Sequence, residues 1–263
     1  TVPPSCVNRD DIGQPKTAVY GGTLRARVSS QAWKHAMRKK FLELYPEEQV
    51  GKRTKKVVDL IAGYILEDHP DARAVEMAGK VLEATKLKVK VDAKKEGKSP
   101  ETEALFFISC AQAKALAKIA ASRPDMKYDS DECKKALQEN PAVDIALFGR
   151  MAASNPELNT DASAQVAHAI STHKVSNEYD YFTAVDDCAE EDNAGAGHLG
   201  TVEYNSSTLY RYATVNVADL SRKLHGDTAA AVRAFAEAFV RSMPTGRQNS
   251  FANGTLPDMV YVT

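Results

Sequence analysis

The stretch Arg25-Ala-Arg-Val-Ser-Ser-Gln-Ala-Trp-Lys-His-Ala-Met-Arg-Lys39 gathers cationic side chains around two adjacent serines. The chemistry open to it is anion binding. Thr23–Val28 alternates strictly, with Leu24, Ala26 and Val28 on one face and Arg25 and Arg27 on the other, which predicts a short strand. Ser29 or Ser30 then supplies a helix N-cap, and a helix N-terminus offers N–H groups and partial positive charge to an anion. Gln31 opens the helix, and Lys34 and Arg38 follow one turn apart on a common face. Upstream, "CVNRDDIGQPKTAVYGG" has loop chemistry and adds Arg9 and Lys16 as cations. The same spacing also describes a capped helix with a solvated basic face, and spacing alone leaves both readings open.

Other residues suggest other chemistry. Asp10-Asp11 and Asp186-Asp187 are carboxylate pairs of the kind that hold Mg²⁺ in nucleases, but neighbouring carboxylates on a strand point apart. His168 and His173 are five apart, which misses the helical zinc spacing and leaves each as a packed, RNA-facing or general acid–base group. These residues support an alternative function, a ribonuclease acting on single-stranded RNA. Aromatic residues beside polar ones, Tyr181-Phe182-Thr183 and Tyr210-Arg211-Tyr212, suit base stacking as well as strand core. Met151 is either core or an apolar wedge between bases. The lysines Lys86, Lys88, Lys90, Lys94, Lys95 and Lys98 read as a solvated connector or a duplex contact. No Walker or GxGxxG loop is present, so no nucleotide cofactor is expected, and the carboxylate, His and Cys spacings predict no metal site.

The elements that must position these groups follow from periodicity. A helix over Gln31–Tyr45, ended by Pro46, buries Trp33, Met37, Phe41 and Leu44. Helices are expected at Val57–Ile65, Val75–Leu82, Ala104–Ile119 and Asp131–Gln138, so residues 51–140 read as a helical insertion. Buried strands are expected at 143–151, 164–175, 208–217 and 258–262. A helix is expected at Thr228–Ser242, burying Val232, Phe235, Ala236 and Phe239, and an exposed loop at 183–200. The net charge of −1 hides an asymmetry: residues 1–56 are strongly basic, whereas 178–203 carry acids and no Lys or Arg. That pattern disfavours indiscriminate DNA coating and allows one basic groove. No apolar run approaches a membrane span. Cys6, Cys110, Cys133 and Cys188 are scattered without a Cys-x-x-Cys pair, which fits reduced thiols in a cytoplasmic protein.

An ordered set of strings then carries a resemblance: "PSCVNRDD", "VYGG", "RARVSSQAWKHAMRK", "VDIALFGRM", "AHAISTHKV", "YFTAVDD", "GHLGTVEY", "LYRYATVNV" and "DMVYV". Together they resemble CasC-type backbone subunits of the type I-E CRISPR Cascade complex. The resemblance implies an α+β fold, a ferredoxin-like (RNA-recognition-motif-like) palm with a helical fingers insertion and a thumb loop. The implied segments are palm 1–50, fingers 51–140, palm strands 141–182, thumb loop 183–207 and palm 208–263. It implies a non-catalytic subunit that oligomerises along CRISPR RNA, with target DNA engaged through guide pairing and other Cascade subunits as partners. Carried over by position, Arg9, Lys16, Ser29, Ser30, Gln31, Lys34 and Arg38 would hold the guide, with Arg25 and Arg27 beside them. Met151 would be the wedge, and Tyr181, Phe182 and Thr183 would line the RNA at the thumb base. Tyr181 stands where the family is expected to have Trp, and the chain is expected to be shortened at both ends.

Overall fold

The computed structural model describes residues 1–263 apart from 69, 71–72, 91–98, 185–187 and 189–197; His198 is described by its backbone. Asp186, Asp187, Lys94, Lys95 and Lys98 therefore lie outside the described residues. In chain order the strands are β1 (Val2–Ser5), β2 (Thr17–Tyr20), β3 (Thr23–Val28), β4 (Lys52–Thr54), β5 (Val89–Lys90), β6 (Glu101–Thr102) and β7 (Phe106–Ile108). They continue with β8 (Ala164–Val166), β9 (Ala169–Ser171), β10 (Glu178–Ala184), β11 (His198–Ser207), β12 (Leu209–Tyr210) and β13 (Ala213–Val215). The helices are α1 (Ser30–Leu44), α2 (Val57–Asp68), α3 (Ala74–Ala84), α4 (Cys110–Ser122), α5 (Ser130–Gln138), α6 (Val143–Phe148), α7 (Val217–Leu224), α8 (Thr228–Arg241) and α9 (Gln248–Phe251). The architecture is mixed α/β with antiparallel sheets. The chain divides into two compact units, one of residues 1–40, 166–213 and 236–263, the other of 41–165 and 214–235.

The first unit holds two antiparallel sheets, β12-β9-β3-β2 and β1-β11-β10. β2 and β3 are joined by a two-residue turn in which Gly21 and Gly22 both have positive φ, +62° and +73°, the type I′ geometry that matches strand twist. Ala26 and Val28 face inward, and with Val2, Ser5, Asn205 and Ser207 they line a crevice of about 20 Å³, no more than one water's room.

The second unit is built on a helical core. Val57, Val58, Ile61 and Ile65 of α2 pack with Met77, Val81 and Leu82 of α3, Leu116 of α4, and Cys133 and Leu137 of α5. Ser109 and Gln112 form a reciprocal capping box that starts α4. That box explains one departure from expectation. Residues 104–119 were expected as one helix, yet Phe106–Ile108 pair with β4 as a strand and the helix begins only after the cap. Residues 143–151 were expected as a strand, but Val143–Phe148 form α6, because a short apolar run fits either structure, and Gly149 at φ +78° ends the helix.

Arg150 then turns inward. Arg150 is 4% exposed, and its guanidinium carbon lies 4.9 Å from the Phe106 ring centroid. It donates to Leu158 O (3.0 Å), Phe107 O (3.2 Å), Gln112 Oε1 (3.1 Å) and Leu137 O (2.7 Å). Burial pulls its pKa down to about 10, so it stays charged at neutral pH. Replacing Arg150 by Met strands these acceptors and is expected to lower stability by at least about 3 kcal/mol, read as a fall in the urea midpoint.

Candidate nucleic-acid interface

The four-stranded sheet is buried on one face only. Register pairs Ala18 with Arg25, Tyr20 with Thr23, Arg27 with Ile170, and Ile170 with Tyr210. With strand alternation, Tyr20, Arg25, Arg27, Ile170 and Tyr210 therefore share the outward face, opposite the buried Ala26, Val28, Ala169 and Ser171. Lys16 continues this ladder, because its carbonyl accepts from the Arg27 N–H at 2.9 Å. The outward face is thus cationic and aromatic together.

Both arginines are oriented by neutral acceptors. Arg25 donates through Nε to Tyr20 O and through Nη1 to Ser171 O, both at 2.9 Å, and stacks near the Tyr20 ring at 5.8 Å. Arg27 donates through Nε to Thr17 O at 3.1 Å and places Nη1 3.3 Å from His168 Nδ1. Burial first, then the Arg27 and Lys16 charges, holds His168 below the ordinary histidine range.

Ser29, not Ser30, caps α1. Its Oγ accepts from the Ala32 N–H at 3.3 Å, while its own N–H donates to Asn8 Oδ1 at 2.9 Å. Asn8 O accepts from the Lys16 N–H, so the cap fixes the Arg9-bearing loop to the sheet. Asp10 builds that loop by accepting from the Ile12 and Gln14 N–H groups, and an isolated bridge joins exposed Arg9 to Pro15. The first turn of α1 carries no acid. Ser30 and Gln31 open the helix, Lys34 and Arg38 stand half-buried along it, and burial lowers the Lys34 pKa. The same unit therefore brings together Arg9, Lys16, Arg25, Arg27, Ser29, Ser30, Gln31, Lys34 and Arg38.

Of the two readings open for Tyr210-Arg211-Tyr212, Arg211 takes the core one, with its cation–π contacts made inside the protein. Residues 208–217 are not one strand: the chain breaks between β12 and β13, and Arg211 enters the core. Its guanidinium lies 3.6 Å from the Trp33 ring centroid and 4.3 Å from that of Phe239, and it donates to Phe239 O. Tyr210 and Tyr212 remain exposed. His173 is likewise structural, since Nε2 accepts from the Thr208 N–H at 3.2 Å and Nδ1 meets Lys174 O at 2.8 Å.

The aromatic hairpin is also sorted by register. β10 pairs with β11, setting Tyr181 opposite Thr201, Phe182 opposite Gly200 and Thr183 opposite Leu199. Tyr181 and Thr183 share one face with Tyr179, whereas Phe182 lies on the other, across Gly200, where a Cβ would come within 2.4 Å of the ring. Ala184 and His198 extend these strands into the segment expected as loop. Met151 is 80% exposed and belongs to the second unit. Residues 258–262, expected as a closing strand, form none; Met259, Tyr261 and Val262 are exposed and no described strand pairs with them. Ala236, expected inside, is exposed, because the buried stripe of α8 runs through Ala231, Ala234, Phe235 and Ala238. Sequence reasoning passed over α7, whose eight residues start at the Asn216 cap, and did not place His168 or Tyr210 on the basic face. The two-residue spacing to Ile170 is the signal that finds His168, whereas Tyr210 is placed only by its pairing with Ile170.

Among the described residues no group of three or more His, Cys, Asp or Glu side chains comes together as a metal site, and no helix is long and apolar enough to cross a membrane.

A cationic, aromatic sheet face beside a helix N-terminus has the chemistry that suits phosphates and stacked bases. The family described as CT1975-like protein matches residues 1–263, and the chain belongs to that family. Among solved structures, it is 35% identical to a chain of a CRISPR RNA-guided surveillance complex, pre-nicking, with a TM-score of 0.81 over 98% of this chain and 74% of that one. A chain of a second CRISPR RNA-guided surveillance complex is 28% identical, with a TM-score of 0.65 over 98% of this chain and 72% of that one. No curated protein matches.

The cap is testable by itself. Ser29→Ala is expected to cost about 1 kcal/mol, read by urea denaturation, because the Ala32 N–H loses its acceptor.

Proposed function

We propose that the chain is the CRISPR RNA-binding backbone subunit of an RNA-guided DNA surveillance complex of the type I-E Cascade kind. In this reading the subunit is non-catalytic and oligomerises along the guide, and target DNA is read by guide pairing rather than by the protein. The observation that carries it is the outward sheet face, where Lys16, Arg25 and Arg27 stand beside Tyr20 and Tyr210 with the arginines held by neutral acceptors. Guanidinium groups fixed in this way keep their charge for an external polyanion. Membership of the CT1975-like family and similarity to chains of CRISPR RNA-guided surveillance complexes support the same reading.

The sheets with α1 would be the ferredoxin-like, RNA-recognition-motif-like palm, Arg9 to Arg38 its backbone grip, and the helical block 51–140 the fingers. Within 183–207, the thumb loop, the described parts belong to the β10–β11 hairpin, which brings Tyr181, Phe182 and Thr183. Because Tyr181 and Phe182 point to opposite faces, each would meet a different surface. Met151 would act as the wedge between bases, and other copies and other Cascade subunits would be the partners.

RNA affinity should be independent of spacer sequence and fall steeply with salt as counterions are released. Lys34→Glu is expected to weaken binding about tenfold or more, a loss of at least about 1.4 kcal/mol. Lys118→Glu, an exposed change on α4, should leave it nearly unchanged. The measurement is fluorescence anisotropy on repeat-spacer RNA across a salt series, with sizing of the purified protein for bound RNA. Equal effects of the two substitutions, or no RNA affinity at low salt, would sink the reading.

A further inference from the structure

Among the described residues of the outward sheet face, His168 is a histidine, the side-chain type whose charge is conditional near neutral pH. It lies just before β9, exposed, and its Nδ1 is 3.3 Å from Arg27 Nη1. A guanidinium N–H only donates, so Nδ1 must accept and the ring must be neutral, with its proton on Nε2. Protonation would remove the acceptor and set two donors and two positive charges against each other. In the free protein the contact therefore opposes protonation, consistent with the lowered position of this imidazole, to which burial, Arg27 and Lys16 contribute.

An anion reverses the balance. A phosphate oxygen accepts from both Arg27 and a protonated imidazole, and its charge offsets the repulsion between them. We propose that Lys16, Arg27 and His168 form one phosphodiester site on the sheet face, whose occupation is coupled to uptake of a proton by His168. This rests on reading that face as RNA-binding, and adds how its affinity is regulated.

The charged groups facing the imidazole are Arg27 from β3 and Lys16 from the segment leading into β2. On the β12 side the chain contributes Tyr210 and Tyr212, and the Tyr212 carbonyl accepts from the Ala167 N–H at 2.9 Å. His173 is engaged on the other side of β9, where its Nε2 accepts from the Thr208 N–H at 3.2 Å.

The sign follows from linkage. If phosphate raises the His168 pKa, the RNA-bound state holds more protons than the free state between the two values. Affinity then rises as pH falls through that window and is flat outside it, tenfold for each unit of pKa difference.

The test is fluorescence anisotropy with an unstructured oligouridylate at constant ionic strength, from about pH 8 to about pH 5.5. Calorimetry in buffers of different ionisation enthalpy would count the protons taken up. The wild-type protein should bind several-fold more tightly at the acid end, taking up a fraction of a proton. His168→Gln should still bind but lose that gain and that uptake. His168→Lys, permanently charged, should bind at the tight limit without the pH dependence. If the wild type binds RNA but shows no acid gain, or His168→Gln retains both gain and uptake, the proton-coupled site is wrong while the RNA-binding reading stands. If the wild type binds no RNA at any pH, that reading fails and takes the coupled site with it.

Discussion

The guanidinium of Arg211 sets the geometry on which the basic face depends. Trp33 lies in the first turn of α1 and Phe239 in the last turn of α8, and Arg211 fills the space between their rings. A buried cation is costly to desolvate, and burial pulls this one down to about 10. Two aromatic faces and the Phe239 carbonyl, at the negative end of α8, offset that cost. Trp33 is held in turn, and with it the direction in which α1 leaves Ser29. A lysine would supply the charge but not the flat stack, because its ammonium is compact and strongly hydrated.

Around that anchor the first unit separates two kinds of arginine. Arg211 is stacked, half-buried and contributes to the fold. Arg25 and Arg27 bond to neutral groups at the edge of solvent, which fixes their direction without neutralising them. Two nearby acids are already committed: Asp10 shapes the loop through the Ile12 and Gln14 N–H groups, and Glu203 is engaged by Gln14 and Asn177. A chain with net charge −1 can therefore hold a locally positive surface.

Much of this was legible in the sequence. The Arg25/Arg27 alternation placed β3, the serine pair marked the start of α1, and Trp33, Met37 and Phe41 gave its buried stripe, each at most 1% exposed. Those are local signals, set by period and capping. What was not legible is long-range. Nothing local says that Arg211 leaves its strand to stack on a tryptophan far back in the chain, or that Gln112 is buried to meet Leu137 O and Arg150. The run 143–148 was ambiguous because both periods fit so short an apolar segment. Residues 258–262 read as a strand by composition, but a strand also needs an edge to pair with.

The β10–β11 hairpin shows how one residue type changes meaning with register. Tyr179 and Tyr181 stand exposed on one face, while Glu178 and Asp180 share the other with Phe182. Phe182 covers Gly200, where the missing side chain leaves room for the ring, so this aromatic stabilises the hairpin whether or not it meets a base. Tyr181 has no such cross-strand seat, being opposite Thr201, and its 65% exposure is not required by the packing of the hairpin. An exposed aromatic that folding does not need is stronger evidence of a binding role than one that closes a gap. By that argument the fold accounts for Phe182, through Gly200, and leaves the exposure of Tyr181 without a structural reason.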